Sequence, residues 1–185
     1  MKHLHFYFLV FIAAIAGGCT NPESTTYQET NYFDIVKLVQ SQIDYLESNK
    51  ATVNKEVWLD GQHETTQVKQ VDWQKELTLF VETDLNKPVL RGSYQVEKSS
   101  NKTTYSAIEK NLEIQQVDVI RDGDQLKEVR IKLLEDNMLF TFEKNLVMTF
   151  DQASHLNSYK VEGLKKVIFL SPSNFTIEGS IAQIP

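Results

Sequence analysis

The sequence predicts an α+β fold: a curved antiparallel β-meander of about 8–11 strands, closing as far as a half-barrel, with two helices from the N-terminal half packed on it. Three observations carry this prediction. From Val89 onward, short runs rich in Val, Ile, Phe, Tyr and Thr are separated by turn signals: Ser99-Ser100-Asn101, Asp122-Gly123, Glu135-Asp136-Asn137 and Ser171-Pro172-Ser173. Connections this short favour antiparallel neighbours, because a parallel pair needs a long crossover. Upstream, two stretches instead carry apolar residues at spacings of three and four, the period of a helix with one buried face.

The first helix is expected over residues 31–48. Tyr32, Ile35, Val36, Val39, Ile43 and Leu46 form its apolar stripe, and Asn31 can cap its start with Asp34 near the positive end of the dipole. Residues 53–59 and 64–71 follow as two strands around Asp60-Gly61, a strong signal for a tight hairpin turn. A second helix is expected over residues 72–85, with Asp72 as its cap and Trp73, Leu77, Phe80 and Val81 on one face. Asn86-Lys87-Pro88 ends it, since the residue before proline is pushed out of the helical region. The meander then supplies strands over 90–97, 103–109, 112–121, 125–134, 138–144, 146–150, 158–161, 165–170 and 175–180.

Alternation assigns the faces. Val129, Ile131 and Leu133 point one way while Glu128, Arg130 and Lys132 point the other, so that strand has one solvated face. Later the pattern is less clean. Leu139 lies opposite Phe140 and Phe142, Val147 lies opposite Leu146, Met148 and Phe150, and residues 167–170 are apolar throughout. This predicts late strands covered on both sides, or bent around an apolar groove lined by Phe140, Phe142, Met148 and Phe150.

The N-terminus carries the chain's address. Lys2 precedes an apolar run over residues 6–16, then come small residues and the only cysteine, Ala16-Gly17-Gly18-Cys19. This is the order of a secretory signal, and the run is shorter than the roughly 20 residues that span a bilayer. The stretch resembles a lipobox, the site at which bacterial signal peptidase II cuts before a lipidated cysteine, although Ala16 stands where that pattern usually has Leu. The resemblance implies a bacterial envelope lipoprotein in which Ala16, Gly17 and Gly18 are the peptidase-recognition residues and Cys19 takes the acyl chains. Thr20 after the cysteine, where enterobacterial lipoproteins retained at the inner membrane have Asp, implies outer-membrane sorting.

The domain organisation that follows is a signal peptide at 1–18, a polar flexible tether at 19–30 and one globular α+β domain at 31–185. Cleavage would remove only Lys2 among the charged residues, leaving 18 basic against 25 acidic side chains. That balance argues against a nucleic-acid partner, which needs a basic face. Ten Phe and 41% hydrophobic residues argue for a packed core and against disorder.

Motifs for chemistry are sparse. Beyond the signal only His63 and His155 could ligate metal through nitrogen, and both fit exposed turns or edges. Asp122-Gly123-Asp124 lacks the ligand spacing of a calcium loop and reads as a turn. Ser154, Ser158, His155 and Asp151 cluster in sequence without a nucleophile-elbow motif. Trp58 and Tyr105 could together form a stacking patch if they shared a surface.

No cofactor, metal or enzymatic activity is expected. The layout is similar to that of lipid-carrier lipoproteins, by fold-level analogy alone. The leading expectation is a lipid-anchored, non-catalytic protein binding a lipid or other hydrophobic ligand. An accessory subunit of an envelope protein complex is the alternative, and an envelope hydrolase a remote one.

Overall fold

The computed structural model describes residues 31–183, in which nine strands form one open antiparallel sheet with a few short helices. The first helix, α1 (Ile35–Ser48), begins later than the sequence suggests: Asp34, not Asn31, is the cap, and its carboxylate accepts the Lys37 N–H at 2.8 Å. Tyr32 is held outside the helix. Its N–H donates to the Asn86 side chain at 2.8 Å, and its hydroxyl accepts the Tyr94 N–H at 3.1 Å. Ile35, Val39, Ile43 and Leu46 form the buried stripe expected from their spacing.

Strands β1 (Thr52–Leu59) and β2 (Gln62–Val68) form the hairpin around Asp60-Gly61. Both turn residues have positive φ, 46° and 88°, the conformation a two-residue turn of this hand requires and glycine adopts without steric cost. The second predicted helix is broken in two, α2 (Trp73–Glu76) and α3 (Thr78–Glu82). Asp72 caps it as expected, but the Thr78 hydroxyl donates to the Gln74 carbonyl at 2.7 Å, a local bond of the kind that bends helices. A 3₁₀ turn, Pro88–Leu90, leads into the sheet.

The meander proper is β3 (Tyr94–Lys98), β4 (Lys102–Ala107), β5 (Ile114–Asp122), β6 (Gln125–Asp136), β7 (Phe140–Phe150), β8 (Leu156–Val167) and β9 (Ser173–Gln183). Strand order is β2-β1-β9-β8-β7-β6-β5-β4-β3. The N-terminal hairpin thus joins the far end of the meander by pairing β1 with β9, and the sheet ends in polar β2 on one side and short β3 on the other. Both are edges of the kind that resist further pairing.

Two pairs of predicted strands fuse. The strands expected over 138–144 and 146–150 become the single β7, Phe140–Phe150, because the Phe140, Phe142, Lys144, Leu146 alternation runs on unbroken. The strands expected over 158–161 and 165–170 become the single β8, Leu156–Val167, which runs on across Gly163, paired with Phe175. A Cβ at Gly163 would lie 2.2 Å from the Phe175 ring, and one at Gly179 would lie 2.1 Å from the Tyr159 ring. Each glycine lets an aromatic ring lie flat on the neighbouring strand.

The core lies between one sheet face and the helices. It contains Trp73, Leu77 and Phe80 from the helical segment, Val117 and Val119 of β5, Val129, Ile131 and Leu133 of β6, and Leu146 and Met148 of β7. The opposite face is polar, with Lys160 between Glu162 (2.7 Å) and Glu178 (2.9 Å) and Asp118 beside Thr104 (2.7 Å). Burial works against the Asp118 charge, but hydrogen bonds from Thr104 and Gln116 and the Lys102 ammonium hold its carboxyl below the usual range. The late strands are therefore covered on one side, not two. Strand β8 stops at Val167, and Ile168, Phe169 and Leu170 leave the sheet as an exposed turn. The uniform apolar run reports a surface tip, not a doubly buried strand.

Segments 1–18 and 19–30, with Ala16, Gly17, Gly18 and Cys19, lie outside the described residues.

Candidate functional site

Where α3 and the 3₁₀ turn cross the sheet, they leave a cavity of about 370 Å³. Its floor is apolar and buried: Ile114 at the start of β5, Leu133 of β6 and Tyr94 of β3. Leu79 and Leu90 form half-buried walls from the helical side. Charged side chains, Glu82, Lys87 and Glu113, stand at the exposed rim. Local sequence explains this arrangement. The break at Leu77 and the end of α3 at Glu82, with Thr83 as its C-cap and well before the Asn86-Lys87-Pro88 stop that the sequence predicts, keep the helical segment short, so it bridges β3, β5 and β6 without filling the space above them.

Three lining residues carry polar groups at buried or largely buried positions: Thr83, whose hydroxyl donates to the Phe80 carbonyl at 2.6 Å, Lys144 and Tyr94. Lys144 extends from β7, its side chain 11% exposed, and its ammonium meets Glu135 at 2.8 Å and lies 4.7 Å from the centre of the Phe142 ring. Tyr94 is fully buried, its ring edge-on to Tyr32 at 5.3 Å, and its hydroxyl is buried with no hydrogen-bond partner among the described residues. Burial, with the neighbouring Tyr32 and the Glu113 carboxylate, pushes the Tyr94 phenol up to about 12. The hydroxyl therefore keeps its proton at neutral pH and is a donor in search of an acceptor. A buried donor left unsatisfied costs about 1–3 kcal/mol, and almost every buried polar group in a folded protein finds a partner.

The four residues expected to line a groove share one face of β7 but divide along it. Met148 and Phe150 are buried in the core. Phe140 and Phe142 are half-buried nearer the Asn137 end, where Phe142 tilts against Phe175 at 6.2 Å. None of the four lines the cavity, whereas Lys144, between them on the same face, does.

Other expected chemistry is occupied by structure. The Asp151 carboxylate accepts the backbone N–H groups of Ala153 (2.8 Å) and His155 (2.9 Å), and the Ser158 hydroxyl is paired with Thr149 at 2.7 Å. His155 stacks on Tyr45 at 3.7 Å, and His63 stacks on Trp58 at 4.5 Å. Tyr105 is buried in the core beside Tyr32, and Trp58 faces the other side of the sheet, so the two do not share a surface. Among the described residues, no group of three or more His, Cys, Asp or Glu side chains could hold a metal ion.

Sequence reasoning missed Tyr94, Lys144 and the segment 79–90 as one site. Their meeting depends on strand order and on where the helical segment lands, and no spacing in the sequence encodes it.

The chain matches no protein-family model, no curated protein and no solved structure. Any functional reading therefore rests on the cavity and its chemistry.

Proposed function

We propose that this chain is a lipid-anchored, non-catalytic protein of the bacterial envelope that binds a small amphipathic ligand in the cavity between α3 and the sheet. In this reading Cys19 carries the acyl chains and directs the chain to the outer membrane, and the sheet curls as a half-barrel around α1, α2 and α3. The carrying observation is Tyr94 in the wall of a cavity with an apolar floor, a buried residue whose hydroxyl has no hydrogen-bond partner among the described residues. A ligand with an apolar body would displace water from Leu79, Leu90, Ile114 and Leu133, and a hydrogen-bond acceptor on it would satisfy the Tyr94 hydroxyl once the shielding side chains give way. The volume supports a small ligand, lying near the lower end of the ~300–1,000 Å³ typical of such sites. The rim, with Glu82 and Glu113 beside Lys87, carries both signs and favours an uncharged or zwitterionic ligand over a strongly anionic one.

The test is recovery of the ligand. Protein purified from its native membrane is extracted with organic solvent, and the small molecules are compared by mass spectrometry with those from a Leu79→Trp variant. Leu79 is half-buried on the helical wall, so the indole can occupy the cavity at little cost to the core. A molecule stoichiometric with the wild-type chain and lost from Leu79→Trp is expected. Identical extracts from the two proteins would remove the reading.

A further inference from the structure

At one end of the sheet, two neighbouring turns present the largest run of exposed apolar side chains among the described residues. Met138 and Leu139 stand on the β6–β7 turn, and Ile168, Phe169 and Leu170 on the β8–β9 turn. Phe169 has its whole side chain in solvent, and Met138 is 89% exposed. The turns are joined to each other, since the Ile168 N–H donates to the Leu139 carbonyl at 3.0 Å. They are also braced from below. The Asn137 side chain accepts the Leu139 and Phe140 N–H groups, and Asp60 accepts the Ser173 hydroxyl and the Asn174 N–H, both at 3.0 Å. A rigid scaffold thus displays these residues together.

Phe169 also has φ 65°. Left-handed backbone at a bulky residue costs about 1–2 kcal/mol, and here no packing returns it. Strain combined with full exposure of an aromatic ring points to a use outside the folded chain.

We propose that residues 138–139 and 168–170 insert into the surface of a phospholipid bilayer. Two features favour lipid over a protein partner or a second copy. The patch is the projecting end of two hairpins, which fits a fluid layer better than a flat protein face. Ammonium groups flank the apolar tips within reach of headgroup phosphates: Lys165 lies over the rings of Phe140 (5.2 Å) and Phe142 (5.8 Å) without a carboxylate at ion-pair distance among the described residues, and Lys166 is 55% exposed at 3.8 Å from Glu143, while the Asp136 carboxylate on the same rim accepts the Thr141 hydroxyl at 2.7 Å. Long basic side chains beside apolar tips can keep their stems in the apolar layer and their ammonium groups at the headgroups. A tether of residues 20–30, at most about 40 Å long when extended, would keep the domain near such a surface. That last point rests on the lipid-anchor reading above, and the insertion itself does not require the cavity to be occupied.

The experiment places a reporter at the tip of the full chain. Phe169→Trp protein is reconstituted into vesicles of phosphatidylethanolamine and phosphatidylglycerol with bromine deep in the acyl chains. Tryptophan quenching is then compared with the wild-type chain, whose Trp58 and Trp73 set the background. Insertion predicts a several-fold rise in bromine quenching for Phe169→Trp, reduced when Lys165→Glu is added. Quenching no greater than wild type would overturn the proposal. So would shielding of the new indole from aqueous quencher without bromine contact, the signature of a protein partner. Mass spectrometry of Cys19 on the same sample reports acylation separately, so an unacylated cysteine would sink the anchor reading while the quenching still decides insertion.

Discussion

The two halves of β7 carry the same kind of sequence and meet different fates. On one face, Leu146, Met148 and Phe150 are buried, while Phe140 and Phe142, continuing the same alternation, stay half-exposed. Strand β8 repeats the contrast: Tyr159 and Val161 are buried, whereas Lys165 on the same face is in solvent. The difference lies in what crosses the sheet. The helical segment reaches Tyr159 through Glu76 and Leu133 at the cavity, and the strands run on past it to two exposed tips. Alternation tells which side chains share a face; it does not tell how far along that face a covering layer extends.

The contrast breaks most visibly in the covered half. Leu146→Ala should destabilise the fold by about 2–5 kcal/mol in chemical unfolding, since Leu146 is fully buried and its removal leaves a cavity that the sheet cannot close. A smaller effect is expected where packing depends on close approach rather than volume. Gly179→Ala places a methyl against the Tyr159 ring, which is buried and hydrogen-bonded through its hydroxyl to Glu76. A loss of about 1–3 kcal/mol is expected from this overpacking. A stability unchanged by Gly179→Ala would mean that the ring moves freely and that the β8–β9 contact is loose.

The uncovered half should respond with the opposite sign. Phe169→Asn keeps the left-handed turn with a residue that tolerates it and removes a ring that contacts only solvent. Stability should hold or rise by up to about 1 kcal/mol, while vesicle association of the tip is lost. Destabilisation by more than that would show that Phe169 packs against something in the folded chain and would bring the two halves closer together.

Particular elements show what was legible beforehand. The Asp60-Gly61 hairpin was readable because its backbone conformation demands a residue like glycine. The faces of β6 were readable because period two has one solution once one side is polar. The start of α1 was not, because Asn31 and Asp34 are both competent caps, and the choice falls to Asp34 only because Tyr32 is held by Asn86 and Tyr94. Of the candidate site, the four phenylalanine and methionine positions were visible as one face. The cavity itself was not, since it joins β3, β5, β6 and β7 to a helical segment from an earlier part of the chain.

The sequence by itself determined the local grammar: antiparallel strands joined by tight turns, a first helix with its buried stripe, one wet face on β6, and the resemblance of Ala16 to Cys19 to a lipobox. These follow from backbone dihedral preferences and from the periods of helix and strand, which act over a few residues. Tertiary structure alone decided that β1 closes onto β9, that Tyr94 has a buried hydroxyl with no partner among the described residues, and that residues 168–170 face solvent and not a core. Each of those outcomes depends on which distant element lies across a given surface, and an apolar run reads the same whether it is to be covered by its own chain or left exposed.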